Sequence, residues 1–194
     1  MIKNNNFFIE NLSSVVFLGE SNAFPKLLEV NKNLNLKTLI ITSSHQSKLI
    51  KKFNYKIFDN LDDKFKKFIN KNLKIKNTIF ISIGARYIFK KDTIENFFLK
   101  NLVNFHWTRL PLDGGGGGFS WHILREERID NQLVHIVDEG IDTGPIIENE
   151  ISLFPRQCQI PIDFEIYSEK KFIEFFSKFL KKVKNGKYFN LKPQ

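Results

Sequence analysis

Short apolar runs alternate along the chain with longer segments in which apolar and charged residues recur at helical spacing. Four runs have the composition of buried strands, namely "SVVFLG" at 14–19, "KTLIITS" at 37–43, "NTIFISIG" at 77–84 and "LVNFHW" at 102–107. Between them, "ESNAFPKLLEVNKN" at 20–33 and "LDDKFKKFINKNL" at 61–73 predict amphipathic helices. This alternation predicts an α/β domain with a mainly parallel, Rossmann-like sheet and helices on both faces.

The remaining segments complete this pattern. We predict a short helix at 45–54, a short strand at 55–59, a loop and helix at 85–97 and a helix at 119–127. Strands at 133–138 and 145–153 surround the turn "EGIDTG" and predict an antiparallel edge. The segment 167–186 predicts a closing helix, because its apolar residues form one stripe: Phe172, Ile173, Phe176, Phe179, Leu180 and Val183.

Composition narrows the class of protein. The 194 residues, 42% hydrophobic and 26% charged, predict one folded domain over 1–194 without a second domain. The net charge of +9 comes largely from lysines on helical faces, so we favour solvated surfaces over a nucleic-acid interface. Cys158 is the single cysteine, which excludes an internal disulfide, and we interpret it as inert. With no apolar segment that predicts a signal peptide or membrane span, we expect a soluble protein in the cytoplasm.

Polar residues at one strand end are the first candidates for chemistry. Asn104 and His106 are two apart on a predicted strand, so their side chains leave the same face. An amide and an imidazole, with a carboxylate such as Asp142, are the groups that acyl transfer through an oxyanion requires. The alternative is that Asn104 and His106 cap a strand end and Asp142 begins a turn. His122 and His135 are interpreted as structural or surface residues.

The combined motifs resemble a known family. "NFHWTRLPLDGGGGGFSWHIL" followed by "VHIVDEGIDTGPII" resembles the folate-dependent formyltransferases, whose hallmark is Asn-x-His, a glycine-bearing loop and Asp-x-Gly. The family includes methionyl-tRNA formyltransferase, glycinamide ribonucleotide formyltransferase, the sugar N-formyltransferases and formyltetrahydrofolate deformylase. The resemblance implies that Asn104, His106 and Asp142 form the catalytic triad. It implies formyl transfer from 10-formyl-tetrahydrofolate to a primary amine, with no metal required.

The resemblance also implies binding sites for the folate and the acceptor. The folate residues implied by it are Ile83, Gly84, Arg86, Tyr87, Ile88, Asp138, Glu139, Gly140 and Ile141. For the acceptor we expect contacts from Trp107, Arg109, Gly115, Gly116 and Gly117. The glycine row 114–118 is expected to form a donor-rich rim beside the reacting amine, or else a mobile loop without ligand contact.

The sequence indicates the identity of the acceptor less clearly than the type of reaction. Leu112 and Asp113 stand where the family often has a basic residue before its glycine, and "GESNAFPKLLE" only loosely matches the phosphate-cradling loop of the glycinamide ribonucleotide enzymes. We therefore expect the amine of a nucleotide-linked amino sugar, with a small amine such as glycinamide ribonucleotide as the alternative. A third hypothesis is a non-catalytic folate- or nucleotide-binding module. A homodimer is compatible with the resemblance.

Overall fold

The computed structural model of the protein describes residues 6–46, 53–107, 109–111 and 119–194. The predicted helix at 45–54 lies partly outside these residues, and the glycine row at 114–118 lies entirely outside them. The strands are β1 (Asn6–Phe7), β2 (Ser14–Gly19), β3 (Lys37–Thr42), β4 (Tyr55–Ile57), β5 (Thr78–Ile83), β6 (Leu102–His106), β7 (Ile129–Ile136), β8 (Ile146–Leu153) and β9 (Phe189–Asn190). The helices are α1 (Phe24–Asn33), α2 (Asp63–Asn72), α3 (Ser120–Leu124) and α4 (Pro161–Lys184), with a 3-10 turn at Ile75–Asn77 and a π-helical turn at Thr93–Phe97.

Seven of these strands form one sheet in the order β4-β3-β2-β5-β6-β7-β8. The pairs from β4 to β6 are parallel, whereas β7 pairs antiparallel with both β6 and β8. A two-stranded sheet, β1 with β9, ties the first described residues to the segment after α4. The predicted mainly parallel sheet with an antiparallel edge is therefore confirmed.

Side-chain alternation along the strands creates two apolar layers. On β2, Val15 and Phe17 contact the layer that contains α1 and α4, whereas Val16 and Leu18 contact the layer that contains α2. All four side chains are fully buried. Strands that bury both faces need apolar residues at every position, which is why the sequence reads as continuous apolar runs. The prediction of helices on both faces is confirmed.

Two elements begin earlier than the apolar pattern predicts. The strand β7 starts at Ile129 rather than 133, and α4 starts at Pro161 rather than 167. The extension of β7 carries polar residues that bond to α4: the Ser168 hydroxyl donates to Asp130 Oδ1 at 2.7 Å, and Gln132 Nε2 donates to the Ser168 hydroxyl at 2.8 Å. All three residues are buried, so the network satisfies polar groups that apolar periodicity cannot reveal.

The closing helix α4 has 24 residues and carries the predicted stripe into the core. Its side chains at Phe172, Phe176 and Phe179 are at most 1% exposed. Asp163 accepts hydrogen bonds from the backbone N–H groups of Gln159 and Ile160 at 3.0 and 3.2 Å, which fixes where the helix begins. Within the described ranges, no helix is both long and apolar enough to cross a membrane.

The order of strands reverses between β2 and β5, and two glycines lie at that point. The chain runs from β2 outward through β3 and β4 and then returns to β5 on the other side of β2. Gly19 is the last residue of β2 and Gly84 directly follows β5, with φ of 117° and 56°. A Cβ on Gly19 would lie 2.2 Å from the Ile83 carbonyl oxygen, and one on Gly84 would lie 2.5 Å from the Glu20 carbonyl oxygen. The two segments of the chain thus approach each other too closely for a side chain at either glycine. This happens at the edge of the sheet where ligands bind in folds of this kind.

We expect Gly84→Ala to lower the free energy of unfolding by about 1–3 kcal/mol, because the new Cβ meets a backbone oxygen at a strained φ. Gly186→Ala is the matched control. Gly186 also has a positive φ, 73°, but its Cβ would meet only Phe8 Cε2 at 3.9 Å. The free energies of unfolding of both variants, measured in urea, separate the effect of the steric clash from that of backbone strain. Equal losses of stability would contradict the close approach of β2 and β5.

Candidate active site

Asn104 and His106 lie on β6 and project from the same face of the sheet. The antiparallel register pairs Asn104 with His135 and His106 with Leu133. Residues paired across strands share a face, so His135 joins Asn104 and His106 there. The opposite face of β6 carries Phe105, which packs against α4. Alternation along the strand therefore separates the polar site from the apolar core.

Asp142 reaches this face from the loop between β7 and β8. The Asp138 carboxylate accepts hydrogen bonds from the Gly140 N–H at 3.2 Å and the Thr143 hydroxyl at 2.8 Å, which closes the loop. Gly144 packs so tightly that a Cβ would lie 1.8 Å from the Ile136 carbonyl oxygen. Asp142 itself has φ of 55°, a left-handed conformation that aspartate tolerates better than most residues. The loop thus holds the carboxylate against β6.

One oxygen of Asp142 contacts both motif residues. Asp142 Oδ1 lies 2.7 Å from His106 Nε2 and accepts a longer hydrogen bond, 3.4 Å, from Asn104 Nδ2. The side chains of His106 and Asp142 are 21% and 16% exposed, so solvent and small molecules reach them. The cluster offers an imidazole beside a carboxylate and an amide that has a second N–H. These are the groups needed to move a proton and to stabilise a developing oxyanion.

His135 is a member of this cluster that the sequence reasoning missed. Its Nδ1 lies 2.9 Å from the Ile136 carbonyl oxygen, and its Nε2 lies 3.8 Å from Asp142 Oδ1. Burial lowers the pKa of His135, while the hydrogen bond to Ile136 opposes the shift. The interpretation of His135 as structural or surface overlooked one signal, an imidazole within the apolar run "LVHIVD". Only the β6–β7 register shows that this position lies opposite Asn104.

The two segments assigned to the folate lie next to each other. Ile83 ends β5, Gly84 follows it, and Arg86 and Ile88 are exposed on the loop that continues from there. The second segment, residues 138–141, belongs to the loop of Asp142. Lys91 and Glu139 join the two loops through an ion pair of 2.9 Å, and this hydrogen bond raises the pKa of Lys91.

The exposure of residues on these loops is uneven. Ile88 and Ile141 are 88% and 87% exposed, the highest values among the described large hydrophobic residues. Tyr87 instead turns inward, and its hydroxyl donates to the Phe58 carbonyl oxygen at 2.9 Å. Burial, together with the Asp59 carboxylate, raises the pKa of Tyr87. The loops therefore present aliphatic side chains to solvent beside the Asp142 cluster.

The residues assigned to the acceptor divide into two groups. Trp107 is half-buried and packs on Phe172, with ring centroids 5.5 Å apart, and stacks on Phe119 at 6.5 Å. Arg109 forms a bidentate ion pair with Glu127, in which Nη2 donates to Oε2 at 2.8 Å and Nη1 contacts Oε1. Gly115, Gly116 and Gly117 lie outside the described residues.

A cavity of about 370 Å³ lies between α3 and the start of α4. It is lined by His122, Ile123, Glu126, Arg128, Cys158, Gln159 and Phe164. The His122 ring contacts Phe119 at 6.0 Å, so a row of rings links the cavity to Trp107 beside His106. His122 Nδ1 is buried and has no hydrogen-bond partner within the described part of the chain. Burial raises the pKa of the Cys158 thiol, which agrees with its interpretation as inert.

Comparison of the sequence with known proteins gives one short match. No protein-family model matches the chain. The methionyl-tRNA formyltransferase of Thermodesulfovibrio yellowstonii is 33% identical over 93 residues, which cover 47% of this chain and 29% of that protein. The matched segment therefore spans less than a third of that relative.

Comparison of the structure covers nearly the whole chain. The phosphoribosylglycinamide formyltransferase of Coxiella burnetii superposes with a TM-score of 0.71 and 16% identity, covering 95% of this chain and 96% of that one. The formyltransferase PseJ of Anoxybacillus kamchatkensis, in complex with a UDP-linked formamido sugar and tetrahydrofolate, has a TM-score of 0.63, 21% identity and coverage of 94% and 82%. An N-formyltransferase of Helicobacter canadensis, in complex with folinic acid and dTDP-3-aminofucose, has a TM-score of 0.65, 20% identity and coverage of 93% and 68%.

These matches agree with the motifs. Enzymes with different acceptors share the architecture seen here, so the likeness identifies the fold and leaves the acceptor open. The fold that the resemblance implies is confirmed, and this chain has the formyltransferase fold.

Proposed function

We propose that this protein is a folate-dependent N-formyltransferase that moves a formyl group from 10-formyl-tetrahydrofolate to a primary amine. The observation that carries the proposal is the contact of Asp142 Oδ1 with both His106 and Asn104 at the carboxyl end of β6. In the sequence, His106 and Asn104 lie 36 and 38 residues before Asp142, yet both contact the same carboxylate oxygen of Asp142. A non-catalytic binding module has no need for this arrangement.

Each residue has a distinct role in the proposed reaction. The acceptor amine attacks the formyl carbon of 10-formyl-tetrahydrofolate. When the tetrahedral intermediate collapses, the bond between this carbon and the folate nitrogen breaks, and the nitrogen takes up a proton as tetrahydrofolate leaves. Asn104 and a protonated His106 donate hydrogen bonds to the oxygen on which charge develops, and such a donor contributes about 3–4 kcal/mol. Asp142 Oδ1 binds His106 at Nε2 and fixes the orientation of the ring, so that Nδ1–H is its second donor. Asp142 also accepts, through water, the proton that the attacking amine loses.

The two joined loops suit the folate. Gly84 follows the end of β5, and Ile88 and Ile141 present exposed aliphatic surface that an aromatic ring system would cover. Two of the structurally similar enzymes were crystallised with tetrahydrofolate or folinic acid. We assign the folate to these two joined loops, one of which carries Asp142.

For the acceptor we propose the amine of a nucleotide-linked amino sugar. Glu20 follows β2, where the resemblance places the phosphate cradle of the glycinamide ribonucleotide enzymes. Its Oε2 is buried and has no hydrogen-bond partner among the described residues. Near a protein surface, two like charges about 4 Å apart repel by about 4 kcal/mol. A carboxylate here therefore disfavours a phosphate in that cradle.

The cavity beside α3 suits the other end of such a substrate. The guanidinium of Arg128 lies 5.3 Å from the centre of the Phe164 ring and lines this cavity together with His122 and Gln159. Arg128 offers positive charge, and His122 and Gln159 offer hydrogen-bonding groups, which suit a nucleoside diphosphate; the Glu126 carboxylate lines the same cavity. The row of rings from His122 to Trp107 connects the cavity with the catalytic cluster. PseJ and the Helicobacter canadensis enzyme were crystallised with nucleotide-linked sugars.

Glycinamide ribonucleotide is the second candidate acceptor. One observation favours it: the phosphoribosylglycinamide formyltransferase of Coxiella burnetii superposes with the higher TM-score, 0.71, and this chain covers 96% of its length. Against it stands the Glu20 carboxylate at the cradle.

The location in the cytoplasm, the single catalytic domain and a homodimer stay predictions.

We expect His106→Ala to lower kcat by at least about 100-fold, because the variant loses the oxyanion donor and the partner of Asp142. Binding of tetrahydrofolate, measured by calorimetry, should stay within about threefold of the parent protein, because the folate contacts lie on other loops. His45→Ala removes an exposed histidine outside the site and serves as the control. An unchanged kcat for His106→Ala would remove the catalytic assignment.

We expect Ile88→Ala to raise the KM for the folate about tenfold, since an isoleucine covered by ligand contributes about 1.5–3 kcal/mol. The free protein should keep its stability, because Ile88 is 88% exposed. Ile166→Ala, at another isoleucine that is 64% exposed, is the matched control. If both variants have the parent KM, the folate does not cover this loop.

To identify the acceptor, the protein is incubated with 10-formyl-tetrahydrofolate and each amine of a panel, and the release of tetrahydrofolate is measured. We expect turnover with one or more nucleotide-linked amino sugars and little with glycinamide ribonucleotide or charged initiator tRNA. His122→Ala should raise the KM for the nucleotide sugar at least about fivefold and leave the folate KM unchanged. Formylation of glycinamide ribonucleotide alone would refute the sugar assignment.

A further inference from the structure

Three metal-ligating side chains converge at the end of β6. His106, His135 and Asp142 each offer one donor atom, and these atoms all lie within 4.8 Å of one another. His106 and Asp142 belong to the proposed catalytic cluster, whereas the proposed reaction gives His135 no part. His135 therefore needs a separate explanation.

The ring of His135 carries an unused lone pair in a buried position. Because a carbonyl oxygen can only accept, the 2.9 Å contact with Ile136 means that Nδ1 carries the proton, and Nε2 is left as an electron-pair donor. His135 is 2% exposed, and its Nε2 has no hydrogen-bond partner in the described residues. Asp142 Oδ1, a second electron-pair donor, faces it at 3.8 Å. Two such atoms facing each other, with no proton between them, are stabilised by a cation.

The surroundings of His135 are those of a metal ligand. Histidines that bind metals donate their other ring N–H to a carbonyl or carboxylate, which fixes the tautomer and the ring orientation. The Ile136 carbonyl does this for His135. The β6–β7 register holds the ring on the same face as His106, and the Asp138 turn holds Asp142 above both. All three ligands are thus positioned by backbone structure.

We propose that His106, His135 and Asp142 form a three-ligand site for Zn²⁺ and that the bound ion inhibits the enzyme. Zinc–ligand bonds of about 2.0–2.2 Å in a tetrahedral site place ligand atoms about 3.3–3.5 Å apart. The distances of Asp142 Oδ1 from His106 Nε2 and His135 Nε2 are 2.7 and 3.8 Å, and all three ligand atoms lie within 4.8 Å of one another. Changes of up to about 1.5 Å in these separations bring the atoms to that geometry. Water completes the fourth position.

Inhibition follows from the atoms that the ion occupies, and this part rests on the proposed function. Zinc takes the lone pairs of His106 Nε2 and Asp142 Oδ1, and the proton between them is released to water. His106 is then held as a neutral ligand, and Asp142 no longer accepts a proton from the amine. Binding of the ion itself does not depend on what reaction the protein catalyses.

Zinc binding is tested with the full chain after treatment with a chelator and dialysis. Zn²⁺ alone is titrated in competition with a chromophoric zinc chelator, and Co²⁺ is used as a spectroscopic probe, because tetrahedral Co²⁺ absorbs strongly in the visible range. We expect one ion per chain. His135→Gln and Asp142→Asn should each lower the affinity at least about tenfold, and the Co²⁺ absorption should disappear.

Controls address folding and other ligands. Asn tolerates the positive φ of Asp142, so Asp142→Asn preserves the loop and decides the matter if His135→Gln does not fold. His45→Gln and Cys158→Ser should bind zinc with the parent affinity. Parent affinity in Asp142→Asn, or loss of binding in Cys158→Ser or His45→Gln, would overturn the site.

The two proposals fail independently. Zinc binding by a protein that transfers no formyl group would support the metal site and refute the proposed function. Formyl transfer by a protein that binds no zinc would do the reverse. If the protein does both, Zn²⁺ should inhibit transfer at the concentration that saturates the site, and uninhibited turnover of the zinc-loaded protein would refute the regulatory role.

Discussion

A single carboxylate oxygen, Asp142 Oδ1, is the point on which the candidate site depends. It contacts His106 at 2.7 Å and Asn104 at 3.4 Å, and it faces His135 at 3.8 Å. The oxygen reaches this position because the chain reverses after β7 in a turn closed by the Asp138 carboxylate. The reversal needs Gly144, which has no room for a side chain, and a left-handed conformation at Asp142 itself. Backbone strain of this kind persists only where the surrounding structure fixes it.

The strand that carries Asn104 and His106 is held from behind by aromatic packing. Phe105 points to the opposite face and contacts the rings of Phe172, Phe175, Phe176 and Phe179 on α4, with centroids 5.4–6.0 Å apart. Removing such a ring costs several kcal/mol, so the strand cannot shift without a large loss of packing. The abundant phenylalanine of the sequence thus has a structural consequence. It gives the polar cluster a rigid support, which precise positioning of catalytic groups requires.

The prediction of elements from the sequence was most accurate for strands whose two faces are both buried in apolar layers. The strands β2 and β5, which are buried at every position, were located to within about one residue, because a fully buried parallel strand is rich in apolar residues. Prediction failed where polar groups satisfy each other inside the fold. Asp130, Gln132 and Ser168 interrupt the apolar pattern, and their mutual hydrogen bonds are formed only when α4 packs on β7. The short pair β1–β9 was missed because two-residue strands have no periodicity and pair chain segments more than 180 residues apart.

By itself, the sequence determined the fold class, the alternation of layers and the three motif residues, because these follow from local periodicity and from a family-specific spacing. The tertiary structure decided which other side chains accompany them. His135 joined the cluster through the register of β6 with β7, and Glu20 came to lie at the reversal point because β2 and β5 are adjacent. Lys91 and Glu139 paired across two loops. These are contacts between distant positions, and their geometry depends on strand register and loop closure, which no local pattern encodes.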